Sequence, residues 1–576
     1  MSPRIFTWIA AGLLLVLVLA VFLPTLAQGW APLDDAINFE RNPHFRGFSA
    51  ENLRWMWTSR LTGHYIPLSW MTLAADYDLS AMDPRGFHRT NVLLHALNAL
   101  LFFALARTLI RSKRETPAIA NGSAAATTLG AFAAAAFFAV HPLRVESVAW
   151  LTERRDLLCG LFCLLSVLSY VRSARSTGSE RRWAQVLSLA AYLAALLSKG
   201  LAVVLPVALL ALDAGPLDRL QGGPKRWLSR ANRWVLLEKA PFLALAALFS
   251  VVTFWAAAPV LVDRSHAGLE HRFLSAGFAL SFYLEKTLLP VRLPFQVPAT
   301  VLLSVGSAPV VALRGAAFLA VCIGALVIWR RRPEVALGLA VFSAFVLPVS
   351  GLFQAGPQLA AHRYTYLAGL PIALLLGGAV FAVTARSNAL GRRLLASVVL
   401  LLVLSLTFTA RAQVALWQDA VTFCTAAVAA APLASAPVAA LSRAYLARNE
   451  PGKALEVLRA GRVRQPGALV LTYLEALVLA GTDSDDVRDG AAALPLAQQA
   501  ARATSFQDPA GLLALAAAVA EQGDLDGARR LLRSAIALAR SGRKPELLPF
   551  LEDIESRFIA SGQIRMKAVD WQVEFL

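Results

Sequence analysis

The chain has 576 residues, of which 57% are hydrophobic and only 16% are charged, and its formal net charge is +18. Its mean hydropathy is +0.57. A soluble protein of this length exposes more charge, and repeated apolar stretches of about 16–25 residues indicate helices that cross a bilayer. The Lys and Arg residues are dispersed among short connectors and form no single basic domain, so the charge does not indicate nucleic acid as a partner.

The first apolar stretch covers residues 6–28 and follows Arg4. A signal peptide is the alternative interpretation, but the stretch is long enough to span a bilayer and no small-x-small cleavage site follows it, so we expect a retained helix. It leads into an acidic pair, Asp34 and Asp35. Carboxylates beside hydrocarbon are costly unless they have a partner or a function, which indicates chemistry at the membrane face.

Hydropathy predicts about eleven spans in all. They lie at 6–28, 91–110, 126–141, 157–172, 183–198, 200–214, 235–258, 310–329, 335–353, 365–385 and 393–411. If these spans alternate, the connectors richest in Lys and Arg share one face, and such connectors stay in the cytoplasm. The N-terminus is therefore predicted to be cytoplasmic and the tail after Arg411 extracytoplasmic. The segment 274–290 ends in Glu285, Lys286 and Pro290, so it is predicted to lie on the outer surface without crossing.

The tail from about Gln413 changes to amphipathic helical spacing with Pro and Gly breaks. Three Ala–Pro pairs recur, each with its members twelve residues apart: Ala420/Pro432, Ala454/Pro466 and Ala497/Pro509. The first two pairs are 34 residues apart, which is the period of a tetratricopeptide repeat. The third pair comes late, consistent with an insertion at Asp483–Asp486. The pattern predicts two domains: a membrane-embedded domain at 1–412 and an α-solenoid at 413–576, which binds a protein or peptide partner or is purely structural.

Six predicted external elements carry most of the remaining polar residues. They read LDDAINF (33–39), GHYIPLSW (63–70), GFHRTNVLLHALN (86–98), HPLRVESVAWLTERRD (141–156), LSKG (197–200) and HRYTYL (362–367). Together with the repeat tail, they resemble the transmembrane-and-tetratricopeptide-repeat glycosyltransferases, which are related to the protein O-mannosyltransferases. In this chain His362 stands before RYTYL, where that family usually has Asp.

The resemblance implies an all-α, polytopic membrane bundle with the C-type integral-membrane glycosyltransferase fold. It also implies transfer of a sugar, with mannose as a candidate, from a polyprenyl-phosphate carrier to a protein or glycan acceptor outside the cytoplasm. Inversion at the anomeric carbon is implied by the resemblance alone.

Attack on an anomeric carbon needs a carboxylate that deprotonates the acceptor hydroxyl. Asp35 or Asp34 is suitably placed after the first span, although the pair would also suit the cap of a short helix at 35–40. A lipid-phosphate leaving group needs cations at the interface to offset its charge. The candidate cations at span ends are Arg154, Arg155, Lys199 and Arg363. For Lys199, snorkelling to the interface is the alternative.

Further polar side chains of these elements are predicted to bind substrate: His64, Tyr65, Arg89, His141, Glu146, Tyr364 and Tyr366. His141 and Glu146 would equally suit a purely hydrogen-bonding role, and the two tyrosines would suit an aromatic belt. No cofactor is implied with certainty. A divalent metal held by Asp34 and Asp35, or by this pair together with His141 and Glu146, is an open alternative, although the spacing lacks the density of a dedicated metal site.

The sequence thus predicts a membrane-embedded glycosyltransferase whose partners are a polyprenyl-phosphate-linked sugar, a protein or peptide acceptor held by the repeat domain, and membrane lipid. It has no Gly-rich phosphate loop, zinc-ligand run or nucleophile elbow, which argues against a soluble nucleotide-sugar enzyme. One alternative is a transporter or flippase for a lipid-linked sugar, which predicts mid-span charges and matching halves that the sequence lacks. The other is a cell-envelope scaffold that uses the repeat domain, and this alternative does not need so many spans.

Overall fold

The computed structural model describes residues 2–576 with the exception of 112–119, 221–222, 261–267, 294–295, 299–306, 353–357, 569 and 573–576. Lys113 and Arg114, which belong to one predicted basic connector, lie outside the described residues. The chain divides into two compact units, Met1–Gln418 and Asp419–Leu576. The functional assignment of these two domains stays a prediction.

The first unit is built from sixteen described α-helices. In chain order they are α1 Pro3–Phe22, α2 Ala50–Thr58, α3 Pro67–Ser80, α4 Pro84–Arg111, α5 Ala120–Ala139, α6 Val145–Ala149, α7 Arg154–Arg175, α8 Gly178–Ser198, α9 Leu205–Ala214, α10 Arg233–Leu237, α11 Ala240–Ala257, α12 Leu269–Leu288, α13 Ser307–Val327, α14 Pro333–Val346, α15 Thr365–Arg386 and α16 Ala389–Ala415. Two short strands, β1 Gln296–Pro298 and β2 Gln358–Ala361, pair antiparallel with Gln296 opposite Ala361.

Within the described residues, each of the eleven predicted spans lies mostly on helix. Seven described helices are long and apolar enough to cross a membrane: Arg4–Ala27, Pro84–Ile110, Leu151–Arg175, Ala240–Ala257, Pro309–Val327, His362–Arg386 and Ala389–Ala415. An eighth is the bent pair Ala124–Ala139 and Pro142–Ala149, whose two parts meet at 53°. The predicted all-α, polytopic membrane bundle is therefore confirmed. The described helices at three predicted spans are not both long and apolar enough to cross a membrane by themselves. These spans are 183–198, 200–214 and 335–353.

Several long helices expose apolar side chains that a soluble protein would bury. On α16, Leu401 is 66% exposed and Phe408 is 79% exposed, while Val399 and Val403 on its other face are buried. A contiguous apolar surface of this kind is stable only against lipid or a partner. These faces are consistent with helices that contact the hydrocarbon of a membrane.

Two helices in the centre of the bundle cross at glycine. A Cβ atom added to Gly130 on α5 would lie 2.6 Å from the carbonyl oxygen of Gly377 on α15. Any side chain at this position would therefore push the two backbones apart. Small residues at helix crossings are the usual means of close packing inside membranes, where no hydrophobic effect drives helices together.

Basic connectors meet at one end of the bundle. Arg175 donates to the carbonyl of Thr108 over 3.1 Å, which joins the ends of α4 and α7. Arg181, at the start of α8, pairs with Glu238 before α11. These contacts agree with the prediction that the connectors rich in Lys and Arg lie on the same face of the membrane. The orientation of the two termini relative to the cell stays a prediction.

The apolar segment predicted to lie on the outer surface forms α12. This helix packs on α13 and does not meet the length and hydropathy of a membrane crossing among the described helices. Glu285, near its end, pairs with Arg314 on α13 at 2.8 Å and with Lys286 at 2.9 Å. Its position on the outer surface stays a prediction.

The second unit consists of eight described helices. They are α17 Ala420–Ala430, α18 Ser435–Ala447, α19 Pro451–Arg464, α20 Leu469–Gly481, α21 Gly490–Ala503, α22 Pro509–Glu521, α23 Leu525–Arg540 and α24 Leu548–Ser561. Successive helices pack on each other, and Ala454 and Ala497 are fully buried where they do so. The longer connection after α20 contains the predicted insertion at Asp483–Asp486. The unit is a helical array, and its identity as tetratricopeptide repeats stays a prediction.

Candidate functional site

The element HPLRVESVAWLTERRD folds into a chain of short helices between two long ones. After α5 ends, a 3-10 turn at Pro142–Arg144 leads into the short α6, and a second 3-10 turn at Leu151–Glu153 leads into α7. Every residue from 141 to 156 is buried. Buried charges are expensive unless they are paired, so this element must find its partners in other parts of the bundle.

Glu153 is the hub of the resulting charge cluster. Its carboxylate is fully buried and forms ion pairs with three cations: Arg155 at 2.6 Å, Lys199 at 2.9 Å and Arg363 at 3.3 Å. Lys199 lies between α8 and α9, and Arg363 lies just before α15. One carboxylate therefore joins three elements that are far apart in the sequence.

Two further carboxylates complete the pairing of these cations. Glu146 on α6 accepts from the backbone N–H of Arg363 over 2.9 Å and also pairs with its guanidinium. Asp156 pairs with Lys199 at 2.6 Å and accepts from the Ser147 hydroxyl over 3.1 Å. We name the six residues Glu146, Glu153, Arg155, Asp156, Lys199 and Arg363 the charge cluster. Its three cations and three carboxylates balance formally.

Asp35 is held rigidly against the element that carries this cluster. Its side chain is fully buried and accepts from the backbone N–H of Ala31 over 2.8 Å, and from the backbone N–H and hydroxyl of Thr152 over 3.2 and 2.6 Å. It does not cap the one turn of π-helix, Ala36–Glu40, that follows it. Burial raises the pKa of Asp35, and the hydrogen bonds from Thr152 and Ala31 lower it. Burial is the larger effect, and the resulting pKa is about 7.

Asp34 has a different environment. Its side chain is partly exposed and accepts no hydrogen bond within the described part of the chain. Burial raises the pKa of the Asp34 carboxyl above its ordinary value, while the cations of Arg155 and Arg363 act to lower it. The structure thus brings Asp34 beside the charge cluster and leaves its oxygens available.

His64, Tyr65 and Tyr364 are partly exposed, like Asp34. Burial, with the charge of Arg155 adding to it, holds the pKa of His64 well below its ordinary value, so the imidazole is neutral at pH 7. The Tyr364 hydroxyl accepts from Gln358 over 2.8 Å, and the Lys199 ammonium lies 5.9 Å from the centre of the Tyr364 ring. His64 and Tyr364 therefore border the cluster with an imidazole and a hydroxyl group.

Lys199 is the most accessible cation of the charge cluster. Its side chain is 12% exposed, compared with 5% for Arg155 and 6% for Arg363. Burial lowers the pKa of the Lys199 ammonium, but the carboxylates of Asp156 and Glu153 outweigh this and hold that pKa above its ordinary value. Lys199 is therefore positively charged at neutral pH.

Four side chains predicted to bind substrate or phosphate have other positions. Arg154 is fully buried and donates to Asp76 over 2.6 Å and to the carbonyl of Phe87 over 2.9 Å. The ring nitrogens of His141 contact the carbonyl of Thr287 and the backbone N–H of Leu143. Tyr366 contacts His95 and Asn98 inside the bundle, whereas the Arg89 side chain is exposed on α4. The roles predicted for Arg154, Arg89, His141 and Tyr366 stay untested predictions, and the charge cluster does not include them.

A divalent metal has no assembled site in the described residues. No group of three or more His, Cys, Asp or Glu side chains lies close enough together there to hold an ion. Asp35 has both oxygens engaged with N–H and hydroxyl donors, so it offers little to a cation. Asp34 alone would supply one protein ligand, and water or a substrate phosphate would have to fill the other positions around Mg²⁺. The divalent metal stays an open alternative.

Sequence reasoning missed Glu153, Asp156 and Thr152. The two acids flank the two arginines in the string ERRD at the start of α7, and a charge run of mixed sign entering an apolar helix signals a buried network. Thr152 has no such signal, because its role depends on contact with Asp35, which lies 117 residues away.

The chain is similar to several protein O-mannosyl-transferases over part of its length. It is 34% identical to protein O-mannosyl-transferase Tmtc3 of Drosophila melanogaster over 123 residues, which is 20% of this chain and 13% of that protein. It is 38% identical to human protein O-mannosyl-transferase TMTC4 over 130 residues (22% of this chain and 17% of that protein). With Drosophila Tmtc2 the match is 32% over 181 residues (29% and 17%). The matches therefore span less than a fifth of the length of these relatives.

No family model matches the chain. Among solved structures, the chain is similar to ArnT from Cupriavidus metallidurans bound to undecaprenyl phosphate, at 13% identity over 97% of this chain and 75% of that chain. The TM-score is 0.31, which is too low to support any conclusion about fold or function. The resemblance indicated by the motifs is nevertheless confirmed at the level of sequence: this chain is similar to the transmembrane-and-tetratricopeptide-repeat protein O-mannosyl-transferases.

Proposed function

We propose that the chain is a membrane-embedded, inverting glycosyltransferase. It takes a sugar, with mannose as the first candidate, from a polyprenyl-phosphate carrier and transfers it to a hydroxyl of a protein or glycan acceptor on the extracytoplasmic face. The single observation that carries this proposal is the Asp34 carboxylate, which accepts no hydrogen bond from the described residues and lies beside the cations Arg155 and Arg363. The sequence similarity to protein O-mannosyl-transferases supports the same reaction class.

In this proposal Asp34 acts as the general base. It accepts the proton of the acceptor hydroxyl while the hydroxyl oxygen attacks the anomeric carbon. The bond between that carbon and the phosphate oxygen breaks, and its electron pair stays on the phosphate. The products are the glycosylated acceptor and the polyprenyl phosphate, and the proton of the acceptor hydroxyl passes from Asp34 to water or to the departing phosphate.

Lys199, Arg155 and Arg363 offset the charge that develops on the leaving phosphate. Fixed donors near a developing anion are effective because they need no reorganisation at the moment of reaction. The three carboxylates of the charge cluster keep these cations in position, and Lys199 is the one best exposed to an incoming phosphate. His64 and Tyr364 border the charge cluster, and their polar groups suit the sugar. Tyr65, the neighbour of His64 in the sequence, is proposed to act with them.

The two ends of α7 support the proposed extracytoplasmic face. The charge cluster lies at its start, whereas Arg175, which contacts Thr108 at the end of α4, lies in its last turn. Basic connectors favour the cytoplasm, so the cluster would lie on the other face. A transporter would instead place its polar site near the middle of the membrane.

The test of this proposal is sugar transfer by the full chain in proteoliposomes. With polyprenyl-phosphate mannose and a panel of acceptor peptides, the native chain should form glycosylated product. Asp34→Asn should lower kcat by about 10²- to 10⁴-fold, the usual contribution of a positioned base. Asp78→Asn, at an exposed aspartate of α3, is the matched control and should keep the native rate.

A full rate in Asp34→Asn would remove Asp34 as the base. Absence of both transfer and binding for every polyprenyl-phosphate sugar, with a correctly folded chain, would refute the glycosyltransferase assignment itself. A second variant tests whether Lys199 binds the phosphate of the donor. Lys199→Met should raise the donor KM roughly ten- to hundredfold, which corresponds to the loss of one hydrogen bond to a charged group.

We propose in addition that the second unit holds the acceptor. A cavity of about 330 Å³ opens between α17, α18 and α19 and is lined by Val438, Tyr445 and Val457 among others. The lining combines these side chains with the charged residues Lys453, Glu456 and Arg464, which suits a peptide that presents both apolar and charged groups. Tyr445→Ala should raise the KM for a protein acceptor and leave the donor KM unchanged. An unaltered acceptor KM would exclude this cavity as the acceptor site.

A further inference from the structure

The connector between α9 and α11 is pinned at both ends to one buried carboxylate. Asp213, at the end of α9, is fully buried and pairs with Arg219 at 3.2 Å and with Lys239 at 2.5 Å. It also accepts from the Tyr170 hydroxyl of α7 over 2.7 Å. Because Arg219 and Lys239 bracket the connector, its two ends are held at the same point of the bundle.

The middle of the connector carries charge of one sign. Residues 224–234 read PKRWLSRANRW and contain four cations and no acidic residue. The four side chains, Lys225, Arg226, Arg230 and Arg233, are exposed and form no ion pair or hydrogen bond within the described part of the chain. The pinned loop therefore presents its cations outward and leaves them without a counter-ion.

A second basic connector lies against the first. The rings of Trp227 and Trp329 are 6.3 Å apart, which brings Arg330 and Arg331, also exposed and without a partner among the described residues, beside the loop. We name the set Lys225, Arg226, Arg230, Arg233, Arg330 and Arg331 the basic patch. Six uncompensated cations in one place form a strongly positive surface.

Exposed apolar side chains occur in the same loop as the cations. Leu228 is 89% exposed and Trp234 is 73% exposed, and Val327 at the neighbouring end of α13 is 78% exposed. Water does not stabilise such side chains, whereas the boundary between headgroups and hydrocarbon does, and tryptophan favours that boundary. The combination of cations with exposed Leu and Trp is the composition of a segment that lies in a membrane interface.

The patch is separate from the charge cluster. Tyr170, which anchors the loop, follows Arg154 by 16 residues on α7. At 1.5 Å per residue this is roughly 24 Å along the helix. The basic patch and the charge cluster therefore belong to opposite ends of a membrane-spanning helix.

We propose that the basic patch binds the headgroups of anionic phospholipids in the leaflet opposite the charge cluster. The charge complementarity and the adjoining apolar side chains favour lipid over a soluble anion. Leu228 and Trp234 insert at the acyl boundary, and the four loop cations lie at the level of the phosphates. This proposal does not depend on the reaction that the chain catalyses.

The test measures lipid selectivity of the full chain by electron spin resonance. The protein is reconstituted in phosphatidylcholine that contains a trace of spin-labelled phosphatidylglycerol or spin-labelled phosphatidylcholine, and the motionally restricted fraction of each label is compared. The native chain should prefer phosphatidylglycerol by about threefold or more, since each cation near an anionic headgroup is favourable. The preference should fall when the salt concentration is raised.

The patch variant is Lys225→Gln combined with Arg230→Gln and Arg233→Gln. Its matched control combines Lys567→Gln, Arg502→Gln and Arg530→Gln, and so also removes one lysine and two arginine charges. These three side chains of the second unit are exposed and have no partner among the described residues. The patch variant should lose roughly half of the selectivity or more, and the control should lose none.

Equal selectivity in the native chain and the patch variant would overturn the proposal, as would equal loss in the patch variant and the control. If the triple variant does not fold, Arg230→Gln with Arg233→Gln and the salt dependence of the native chain decide the question. A preference that does not change with salt would exclude electrostatic binding and therefore the patch.

Discussion

The carboxylates of the neighbouring residues Asp34 and Asp35 lie in opposite environments. Asp35 is fully buried and accepts hydrogen bonds from Ala31 and Thr152, whereas Asp34 is partly exposed and accepts none from the described residues. One member of the pair therefore anchors the loop to the start of α7, and the other is available for chemistry.

The first prediction separates these two carboxylates by stability. Asp35→Asn places an amide N–H against the N–H of Ala31, and should lower the free energy of unfolding by about 1–3 kcal/mol. Asp34→Asn should change it by no more than about 0.5 kcal/mol, because the Asp34 carboxylate accepts no hydrogen bond from the described residues that the substitution could break. Thermal unfolding in detergent, followed with a thiol-reactive dye, reports both because Cys159, Cys163 and Cys424 are buried. Equal Tm shifts in the two variants would contradict this division of roles.

The second prediction concerns pH. Burial raises the pKa of Asp34 above its ordinary value, and a general base works only when it is ionised. At pH values below the pKa of Asp34, kcat/KM should be low because the carboxyl is protonated. It should rise as the pH passes through that pKa, and this rise should occur at a higher pH than for an ordinary aspartate. Initial rates from pH 4 to pH 8 measure this dependence, and well below the pKa kcat/KM should fall roughly tenfold for each unit by which the pH is lowered. A profile that stays flat down to pH 4 would show that no such base limits the reaction.

The third prediction concerns Glu153 as a positioning residue. Glu153→Gln removes the shared counter-ion of Arg155, Lys199 and Arg363 and should lower the free energy of unfolding by about 3–5 kcal/mol, as expected when one member of a buried ion pair is lost. The three cations should then lose their fixed geometry, so the donor KM should rise more than kcat falls.

The control for this variant is Glu475→Gln. Glu475 is a buried carboxylate of the second unit that pairs with Arg459 at 3.2 Å and Arg462 at 2.5 Å. It should lower stability for the same reason and leave the donor KM unchanged. A donor KM that is native in both variants would exclude the positioning role of Glu153.

The fourth prediction concerns Arg154, whose pairing with Asp76 accounts for its burial. Arg154→Met or Asp76→Leu alone should each destabilise the chain by about 3–5 kcal/mol, because each leaves an unpaired buried charge. The double variant should cost clearly less than the sum. The donor KM should not change in the folded fraction. A higher donor KM in Arg154→Met with a native Tm would instead assign Arg154 to the phosphate.

Local sequence was sufficient for the helices. The predicted spans at 365–385 and 393–411 coincide with α15 and α16, because a bilayer selects length and hydropathy and both are readable from composition. The first and second Ala–Pro pairs likewise predicted where α17 and α19 end. The predicted span at 200–214 is a shorter apolar helix, since Gly200–Val204 forms a 3-10 turn.

The candidate site was only partly predictable. Asp34, Arg155, Lys199 and Arg363 were identified because charges at the ends of apolar stretches are rare and costly. Their arrangement around Glu153 was not, because it depends on the packing of α6, α7 and α8 against the start of α15. Arg154 and Arg155 are adjacent in sequence and have the same side chain, yet α7 directs one to Asp76 and the other to Glu153.

The sequence by itself determined a polytopic, helical membrane protein with a helical tail, since hydrophobic length and helical periodicity are properties of contiguous residues. Tertiary structure alone decided which aspartate is engaged and which is available, because Asp35 meets Thr152 only after 117 residues of chain have folded back. The same holds for the basic patch, where the contact of Trp227 with Trp329 joins two connectors that the sequence keeps apart. Side-chain environment is set by these distant contacts, and no local pattern encodes them.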